Sequence, residues 1–292
     1  MPEPTLSRLG FGPQDKLLII NGDDFGMCHA ANTGTIAFLT GCMGATGSAS
    51  VLMPCPWVLE AMEFWAAHPT LSIGVELCLT CEWEHYRWGP LSPRDKVPTL
   101  VDDQGCLWGN ADLVRRHAKV EHAEIELRAQ IDKALALGLD VTHLHNHMSS
   151  LCLRDDLLDL YIRLTREYRL PGRETFRRRD DNWPSLTKLV GFDLYYMGME
   201  DGKEQRLYDI LAPLGPGLYE LYPHFAIDEP EIRHISARSR WIPDDPDSWK
   251  GRISDTTLYT SETVLESIRQ MGFTLISWRQ IRDGLRKLPI ET

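Results

Sequence analysis

The sequence predicts a single-domain α/β protein with a mainly parallel sheet. Short apolar runs alternate with segments of helical spacing along most of the chain, which is the pattern of successive β-α-β units. The chain has 292 residues, and α/β barrels commonly form one domain of this size. Since no linker, repeat or low-complexity segment interrupts the pattern, we expect one domain over residues 1–292.

The first part of the chain predicts three strands, two helices and a long loop. Residues 16–21 are an apolar run that ends in Gly-Asp-Asp at 22–24, which predicts a buried strand with polar residues at its C-terminal end. The segment 80–109 is aromatic and rich in proline, and long loops in compact domains are usually functional. The other elements predicted here are strands at 45–53 and 71–79 and helices at 29–39 and 57–67.

The second part of the chain continues the alternation of strands and helices. A strong helical pattern over 111–137 ends at Gly138, a favourable residue after a helix C-terminus. Residues 170–216 show little pattern, except that 192–197 fits a strand or a buried turn. The other elements predicted here are a strand at 141–147, a helix at 155–168, a strand at 217–224, a helix at 261–271, a strand at 273–277 and a closing segment at 278–285.

The composition excludes several classes of protein. The net charge is −11, and such a surface repels nucleic acid and anionic membranes, because phosphate binding needs clustered Lys and Arg. The chain has no apolar run of about 18 residues, so we expect no membrane span. The N-terminus lacks the basic and then apolar order of a signal peptide. We therefore expect a soluble protein that binds neither nucleic acid nor membrane.

The cysteines favour a reducing compartment. The seven cysteines are odd in number and scattered, mostly in apolar stretches, which is typical of reduced, buried thiols. Cys78 and Cys81 form a lone CxxC, whereas a structural zinc would need a second pair. We interpret these two residues as packed thiols and expect the protein to be cytoplasmic.

Ionisable residues stand at the ends of four predicted strands. In parallel α/β sheets and barrels, functional groups cluster at the C-terminal ends of the strands. Four such ends, each with an acid or a histidine, are therefore a stronger indication of a site than any one of them alone. The residues are Asp23 and Asp24, Glu76, the histidines His143, His145 and His147, and His224.

The adjacent carboxylates of Asp23 and Asp24 have two interpretations. Two carboxylates in an apolar context are costly to desolvate unless a cation or hydrogen bonds compensate. Because adjacent side chains point in different directions, one can hold a metal while the other takes a proton from water. The alternative is an Asx turn or a helix N-cap that opens the helix after Gly26.

The three alternating histidines, His143, His145 and His147, would share one face of a strand. Neutral imidazole is a common ligand of divalent transition metals, so this run favours a metal site; alternatively, one or two of the rings are hydrogen-bonded core residues. Glu76 lies between Val and Leu, and an acid buried there must face a site or pair with a base. His224 follows a proline at another strand end, where it could act as a general acid near neutral pH.

These motifs also resemble a known family. The run IINGDDFGMCHAANTGTI at 19–36 resembles the N-x-DDFG motif and following helix of the YdjC-like carbohydrate deacetylases. GVELCLTCEW at 74–83 resembles their GxHLxLT segment, and VTHLHNH at 141–147 resembles their H-x-D-x-H-x-H segment. LYPHF at 221–225 and GFTLISWRQIRD at 272–283 resemble their late HPG motif and their closing strand and helix. The motifs occur in the family's order and span almost the whole chain.

The resemblance implies a TIM-like (β/α) barrel, complete or incomplete, and metal-dependent removal of acetyl groups from N-acetylated sugars or oligosaccharides. In that family one Asp and two His hold a divalent metal, and the matching positions here are Asp24, Glu76 and His147. Asp23 matches the general base, and His224 matches a catalytic histidine. The implied cofactor is a divalent ion, which is Mg, Mn or Zn.

The chain departs from the family pattern in its ligand set. Glu76 replaces a family His and His145 replaces a family Asp, so an acid is gained at one position and lost at the other. Ser149 and Ala226 replace a further His and the glycine of HPG. A site with two carboxylates and one imidazole should favour Mg or Mn relative to Zn, and should lower the pKa of bound water less.

These exchanges leave the roles of three residues open. Glu76 binds the metal, or it pairs with protonated His145 and leaves the metal to Asp24 and His147. His143 and His145 are expected as supporting residues or as alternative ligands.

Three aromatic side chains of the loop 80–109 have more than one interpretation. Trp83, Tyr86 and Trp88 would stack on sugar rings or cover the site, or would only pack the loop.

The rivals to a deacetylase are a hydrolase of another ester, amide or phosphate bond and a non-catalytic sugar-binding relative. The expected partner is a small molecule or an oligosaccharide, and a homodimer is compatible with the sequence.

Overall fold

The structure is a computed structural model that describes residues 3–173, 187–239 and 247–287. Within these ranges a parallel sheet of seven strands is packed among eleven α-helices. The strands are β1 (Lys16–Phe25), β2 (Gly47–Val51), β3 (Ser72–Leu77), β4 (Leu144–Asn146), β5 (Thr187–Leu189), β6 (Gly217–Leu221) and β7 (Phe273–Ile276). The helices are α1 (Glu3–Arg8), α2 (His29–Thr40), α3 (Val58–Ala67), α4 (Ala111–His117), α5 (Val120–Ala136), α6 (Asp155–Glu167), α7 (Lys203–Leu211), α8 (Pro230–Ser236), α9 (Ser248–Tyr259), α10 (Glu262–Gln270) and α11 (Trp278–Arg286).

Strand β1 is the centre of the sheet. The strand order is β4-β3-β2-β1-β6-β5, and β7 also pairs with β1. On one side β1 pairs with β6; on the other, its first half pairs with β7 and its second half with β2. The edge strands β4 and β5 do not pair with each other within the described ranges, so the sheet is an incomplete α/β barrel. The predicted fold class is thereby confirmed in its incomplete form.

The apolar patterns explain why these elements form. All residues of β1 after Lys16 are buried, as expected for a central strand covered on both faces. Helices α6 and α10 each bury one mainly aliphatic stripe, which faces α5 in the case of α6 and β7 in the case of α10, and leave their charged faces in solvent. Ser261, the first residue of the helix predicted over 261–271, caps α10 through its side chain. None of the helices in the described ranges is both long and apolar enough to cross a membrane.

One predicted helix differs from the structure, and one segment with two alternatives is resolved by it. The helix predicted over 111–137 is divided into α4 and α5, because Ala118 is extended and Lys119 donates its amide to the Oγ1 atom of Thr99, at 3.0 Å. Of the two alternatives for residues 192–197, a strand or a buried turn, the structure has a turn: Phe192–Tyr196 is a 3₁₀ turn that follows Gly191, whose φ is 78°. Part of the stretch with little pattern, 174–186, lies outside the described residues.

Two glycines position the segment that follows β6. A Cβ atom at Gly22 would lie 2.6 Å from the ring of Phe225, and one at Gly34 would lie 2.7 Å from the backbone nitrogen of Ala226. Both distances are shorter than a real Cβ atom tolerates. Because Gly22 of β1 and Gly34 of α2 carry no side chain, residues 225 and 226 can lie directly against these two elements. His224, directly before Phe225, is thereby held against the end of β1.

All seven cysteines are free thiols. Cys78 and Cys81 are buried, and the thiol of Cys78 donates to the carbonyl oxygen of Thr80 at 3.1 Å. This arrangement agrees with the interpretation of the CxxC as packed thiols.

Candidate functional site

The C-terminal ends of β1, β3 and β4 bring five predicted residues together. Asp23 and Asp24 lie near the end of β1, Glu76 of β3 pairs in register with His145 of β4, and His147 directly follows β4. Each of these residues is at most 4% exposed. We call this group the strand-end cluster. The structure therefore brings these five residues together at one end of the parallel sheet.

Asp24 has a left-handed backbone, with a φ of 64°. This conformation is uncommon outside glycine, although Asp adopts it more readily than most residues, and such strain concentrates at functional sites. The amide of Asp24 donates to Oε2 of Glu76 at 3.0 Å, and its Oδ2 atom accepts a hydrogen bond from Nη2 of Arg252 at 2.6 Å. Its Oδ1 atom is buried, lies 3.3 Å from Nδ1 of His147 and accepts no hydrogen bond from the described residues.

Glu76 and His147 complete a set of three metal-type ligands with Asp24. Oε1 of Glu76 lies 3.0 Å from Nδ1 of His147, and one donor atom from each of the three residues lies within 4.8 Å of the other two. The Nε2 atom of His147 lies 3.2 Å from Oε2 of Glu82, so a carboxylate orients the far side of the ring. A ligand histidine held from behind by a carboxylate is a common arrangement in metal sites.

Asp23 is held by a guanidinium. Nη1 and Nη2 of Arg173 donate to its two carboxylate oxygens at 2.6 and 2.8 Å, and Asn21 donates to Oδ1 at 2.9 Å. Nδ1 of His145 lies 3.3 Å from the same oxygen, and Nε2 of His145 lies 3.1 Å from Oε1 of Glu220. Burial raises the pKa of Asp23, but the charge of Arg173 and the contacts with His145 outweigh it and hold the pKa well below its usual range.

The carboxylates of the strand-end cluster are crowded. Burial and the nearby charge of Asp23 raise the pKa of Glu76, whose ionised form is therefore disfavoured without a further cation. Burial lowers the pKa of His147, but Glu82 and the other carboxylates outweigh it and raise the pKa well above its usual range. These two shifts are the electrostatic signature of a site that attracts positive charge.

His224 is partly buried beside the strand-end cluster. The backbone of His224 forms an isolated parallel β-bridge with that of Asp23. The backbone amide of His224 donates to Oδ2 of Asp255 at 2.9 Å. Oδ1 of Asp255 pairs with the buried Lys203 at 2.5 Å, so an internal ion pair anchors the backbone of His224. Burial lowers the pKa of His224 to about 4, and the ring is therefore neutral at pH 7.

Of the remaining predicted residues, His143 packs in the core. Its ring stacks on Trp278 with centroids 5.1 Å apart, and burial holds its pKa well below the usual range. In the aromatic loop, Trp83 and Trp88 are buried, and Tyr86 is partly buried with its hydroxyl donating to the carbonyl of Met27 at 2.5 Å. A role of this loop in substrate binding stays a prediction.

The residues present fit a divalent cation better at Asp24 than at Asp23. Asp23, Glu76 and His145 also place their donor atoms within 4.8 Å of one another. However, both oxygens of Asp23 are bonded to Arg173, and both ring nitrogens of His145 face protein partners. Asp24 instead keeps a buried oxygen that accepts no hydrogen bond from the part of the chain described. A metal is the natural partner of such an oxygen beside a second carboxylate and an imidazole.

Although Glu76 and His145 are neighbours in the strand register, their side chains do not form an ion pair with each other. Ser50 stands between them, with its Oγ atom 2.8 Å from Oε2 of Glu76 and 2.9 Å from Nδ1 of His145. Glu76 faces Asp24 and His147, which is the orientation that a ligand needs. Its role as a ligand remains a prediction.

Several functional neighbours were not predicted from the sequence. Glu220 is a charged residue inside a short apolar strand, and the argument used for Glu76 would have selected it as well. Glu82 follows Glu76 by six residues, but it lies in a loop whose path no local pattern predicts. The two arginines, Arg173 and Arg252, come from elements distant in sequence and carry no local signal.

Comparisons with known proteins identify relatives of this chain. The profile of the YdjC-like protein family matches residues 17–270. A carbohydrate deacetylase from Thermus thermophilus is 30% identical, with 96% of this chain and 98% of that protein covered. A chitooligosaccharide deacetylase from Yersinia enterocolitica is 28% identical, with 90% of this chain and 98% of that protein covered. A crystal structure of an Enterococcus faecalis protein named for cellobiose-phosphate cleavage has a TM-score of 0.74 at 26% identity, over 91% of this chain and 99% of that one.

Substitution of Asp24 by Asn tests the ligand set. Asn tolerates the left-handed backbone and keeps the size of the side chain, but it lacks the charge. We expect the affinity for Mn²⁺, measured by isothermal titration calorimetry, to fall by more than roughly 100-fold. Loss of a residue that contacts only a ligand, and not the metal, costs roughly 10–100-fold. Asp112, which is partly exposed and lies outside the strand-end cluster, provides the control, since D112N should bind Mn²⁺ as the unsubstituted chain does. Unchanged affinity in D24N would place the metal elsewhere.

Proposed function

This chain belongs to the YdjC-like protein family, and we propose that it is a metal-dependent deacetylase that removes acetyl groups from N-acetylated sugars or oligosaccharides. The observation that carries the proposal is the set of Asp24, Glu76 and His147 at the strand ends, beside a separate carboxylate at Asp23. The names of the Thermus and Yersinia relatives support the carbohydrate substrate.

Asp24, Glu76 and His147 would hold the divalent ion, which is Mg, Mn or Zn. Two carboxylates and one imidazole form a harder ligand set than one carboxylate and two imidazoles, so we expect Mg or Mn to be favoured relative to Zn. When bound, such an ion lowers the pKa of water and polarises the acyl carbonyl. Glu82 would fix the ring of His147 from its far side, and Ser50 would orient Glu76.

Asp23 would accept a proton from the attacking water. Arg173 keeps its carboxylate ionised at neutral pH and fixes both oxygens, so the acceptor is oriented before the substrate arrives. The same pairing makes Asp23 a weak base, which suits a water that is already acidified. Asn21 and His145 complete its hydrogen bonds and hold it separate from Asp24.

His224 would deliver a proton to the leaving amine. Its Nδ1 atom is buried and has no hydrogen-bond partner in the residues described, so the ring can take up and give back a proton. Because its pKa is about 4, the ring is neutral before the reaction; it would first receive the proton that Asp23 takes from water and would then release it readily to the leaving amine. The ion pair of Lys203 and Asp255 fixes the backbone of His224 and hence the position of the ring.

The loop residues Trp83, Tyr86 and Trp88 remain our proposal for substrate contact. The partly exposed Tyr86 lies edge-on to Trp88, with ring centroids 6.0 Å apart. A sugar would therefore meet the ring of Tyr86 first, and the buried indole of Trp88 would support that ring.

Acetate release from N,N′-diacetylchitobiose and longer N-acetylated chitooligosaccharides tests this function. We expect the chain with Mn²⁺ to release acetate, removal of the metal by a chelator to abolish release, and added Mn²⁺ to restore it. Product would be measured by an enzyme-coupled acetate assay. Absence of release from all these sugars, with Mn²⁺ shown to be bound, would contradict the proposal.

The variant D23N is the internal control for this assay. Asn at position 23 cannot take a proton, so turnover should fall by roughly 10²–10⁴-fold while metal binding persists. A change in turnover below about threefold would remove Asp23 from the mechanism.

Substitution of Glu76 by His tests why this chain departs from its family. If Glu76 is a ligand, E76H restores a set of one carboxylate and two imidazoles, and the ratio of Zn²⁺ to Mn²⁺ affinity should rise, as titration of the metal-free protein would show. E82Q is the matched control, because it changes an acid that holds only the far side of His147. If the affinity ratio of E76H is unchanged and its melting temperature falls, Glu76 is a structural residue.

A further inference from the structure

Arg252 uses only part of its hydrogen-bonding capacity. It lies on α9 and is 2% exposed, and its Nη2 atom donates to Oδ2 of Asp24 at 2.6 Å. Its Nη1 atom is buried and meets no acceptor among residues 3–173, 187–239 and 247–287. A buried guanidinium nitrogen without an acceptor is costly, so a donor that persists there calls for a ligand.

The surroundings of Arg252 indicate what that ligand is. The guanidinium lies over the indole of Trp83, with its carbon 5.8 Å from the ring centroid, and its charge acts on both Asp24 and His224. Nδ1 of His224 is also buried and has no hydrogen-bond partner in the described part of the chain. Two unused nitrogens beside the proposed ligand Asp24 suit an anionic oxygen, and a guanidinium fork is well matched to a carboxylate.

The guanidinium is also held in place. Asp24 fixes one nitrogen, and the indole of Trp83 lies against one face. Helix α9 is tied to α7 by Lys203, whose ammonium group donates to the carbonyl of Gly251 at 3.2 Å and to Ser254 Oγ at 2.8 Å. A donor that is fixed before the reaction stabilises developing charge without reorganisation.

We propose that Arg252 is a catalytic residue: through Nη1 it binds the acyl oxygen of the substrate as charge develops on it, and then one carboxylate oxygen of the acetate product. This role rests on the proposed deacetylation. In that reaction the oxygen of water bonds to the acyl carbon, the carbon–nitrogen bond breaks, the amine takes a proton, and acetate leaves as an anion. Arg252 forms no covalent bond and keeps its proton throughout.

The alternative is that Arg252 acts only through Asp24, as the partner of its second oxygen. The variant R252K separates the two roles. An ammonium group is a single-point donor that can retain the ion pair with Asp24, but it lacks the second arm of the guanidinium. R252M removes both functions and serves as the second variant.

The experiment is a calorimetric titration of the Mn²⁺-loaded protein with sodium acetate, alongside a titration of the metal-free protein with Mn²⁺. For R252K we expect acetate to bind about 10-fold or more weakly, as loss of a charged hydrogen bond implies, with Mn²⁺ affinity within about threefold of the unsubstituted chain. R252M should bind both ligands more weakly. The exposed Arg206 supplies the control variant R206K, in which both affinities should be unchanged.

Two results would overturn the proposal. One is R252K binding acetate as tightly as the unsubstituted chain does. The other is weaker acetate binding in R252K only in proportion to weaker Mn²⁺ binding, which would leave Arg252 as a positioning residue. Failure of the proposed deacetylation can be told apart from failure of the Arg252 proposal. In the former case the unsubstituted chain would still bind acetate through Arg252, but it would release no acetate from N-acetylated sugars.

Discussion

The structure depends on the burial of carboxylates that repel one another. Asp23, Asp24, Glu76, Glu82 and Glu220 are all at most 4% exposed and converge on the C-terminal ends of the central strands. Removing carboxylates from water costs several kcal/mol each unless a cation or hydrogen bonds compensate. Within the described residues the guanidiniums of Arg173 and Arg252 contact Asp23, Asp24 and Glu220, whereas Glu76 and Glu82 face the two ring nitrogens of His147. A divalent cation that takes the place of the extra proton on this ring is therefore physically reasonable at this end of the sheet.

The two arginines divide the carboxylates between two tasks. Arg173 satisfies both oxygens of Asp23 and also reaches Glu220, so this side of the cluster is neutralised by protein groups. Arg252 satisfies one oxygen of Asp24 and leaves the other beside Glu76 and His147. Two adjacent residues of one strand thus acquire different chemistry, one as an oriented proton acceptor and the other as an oriented ligand.

The sequence allowed the convergence of the site to be predicted, but not its electrostatics. Asp23, Asp24 and His147 follow or end an apolar run and Glu76 lies within one, and the topology of a parallel sheet carries such residues to one edge. The same local logic placed His143 with His145 and His147, whereas Gly74 opens space in which His143 packs as a neutral core residue. Arg173, Arg252 and Lys203 could not be found in this way. Their roles arise from tertiary contacts between elements up to 228 residues apart, and helical or loop arginines give no local sign of burial.

The central claim is that Asp24, Glu76 and His147 bind one divalent cation. Anomalous diffraction from crystals of the chain grown with Mn²⁺ tests it most directly, because the anomalous signal locates the ion independently of the protein atoms. The account predicts one strong peak within about 2.3 Å of Oδ1 of Asp24, a carboxylate oxygen of Glu76 and Nδ1 of His147. A peak bound instead by Asp23 and His145, or no peak in the cluster at saturating Mn²⁺, would contradict it.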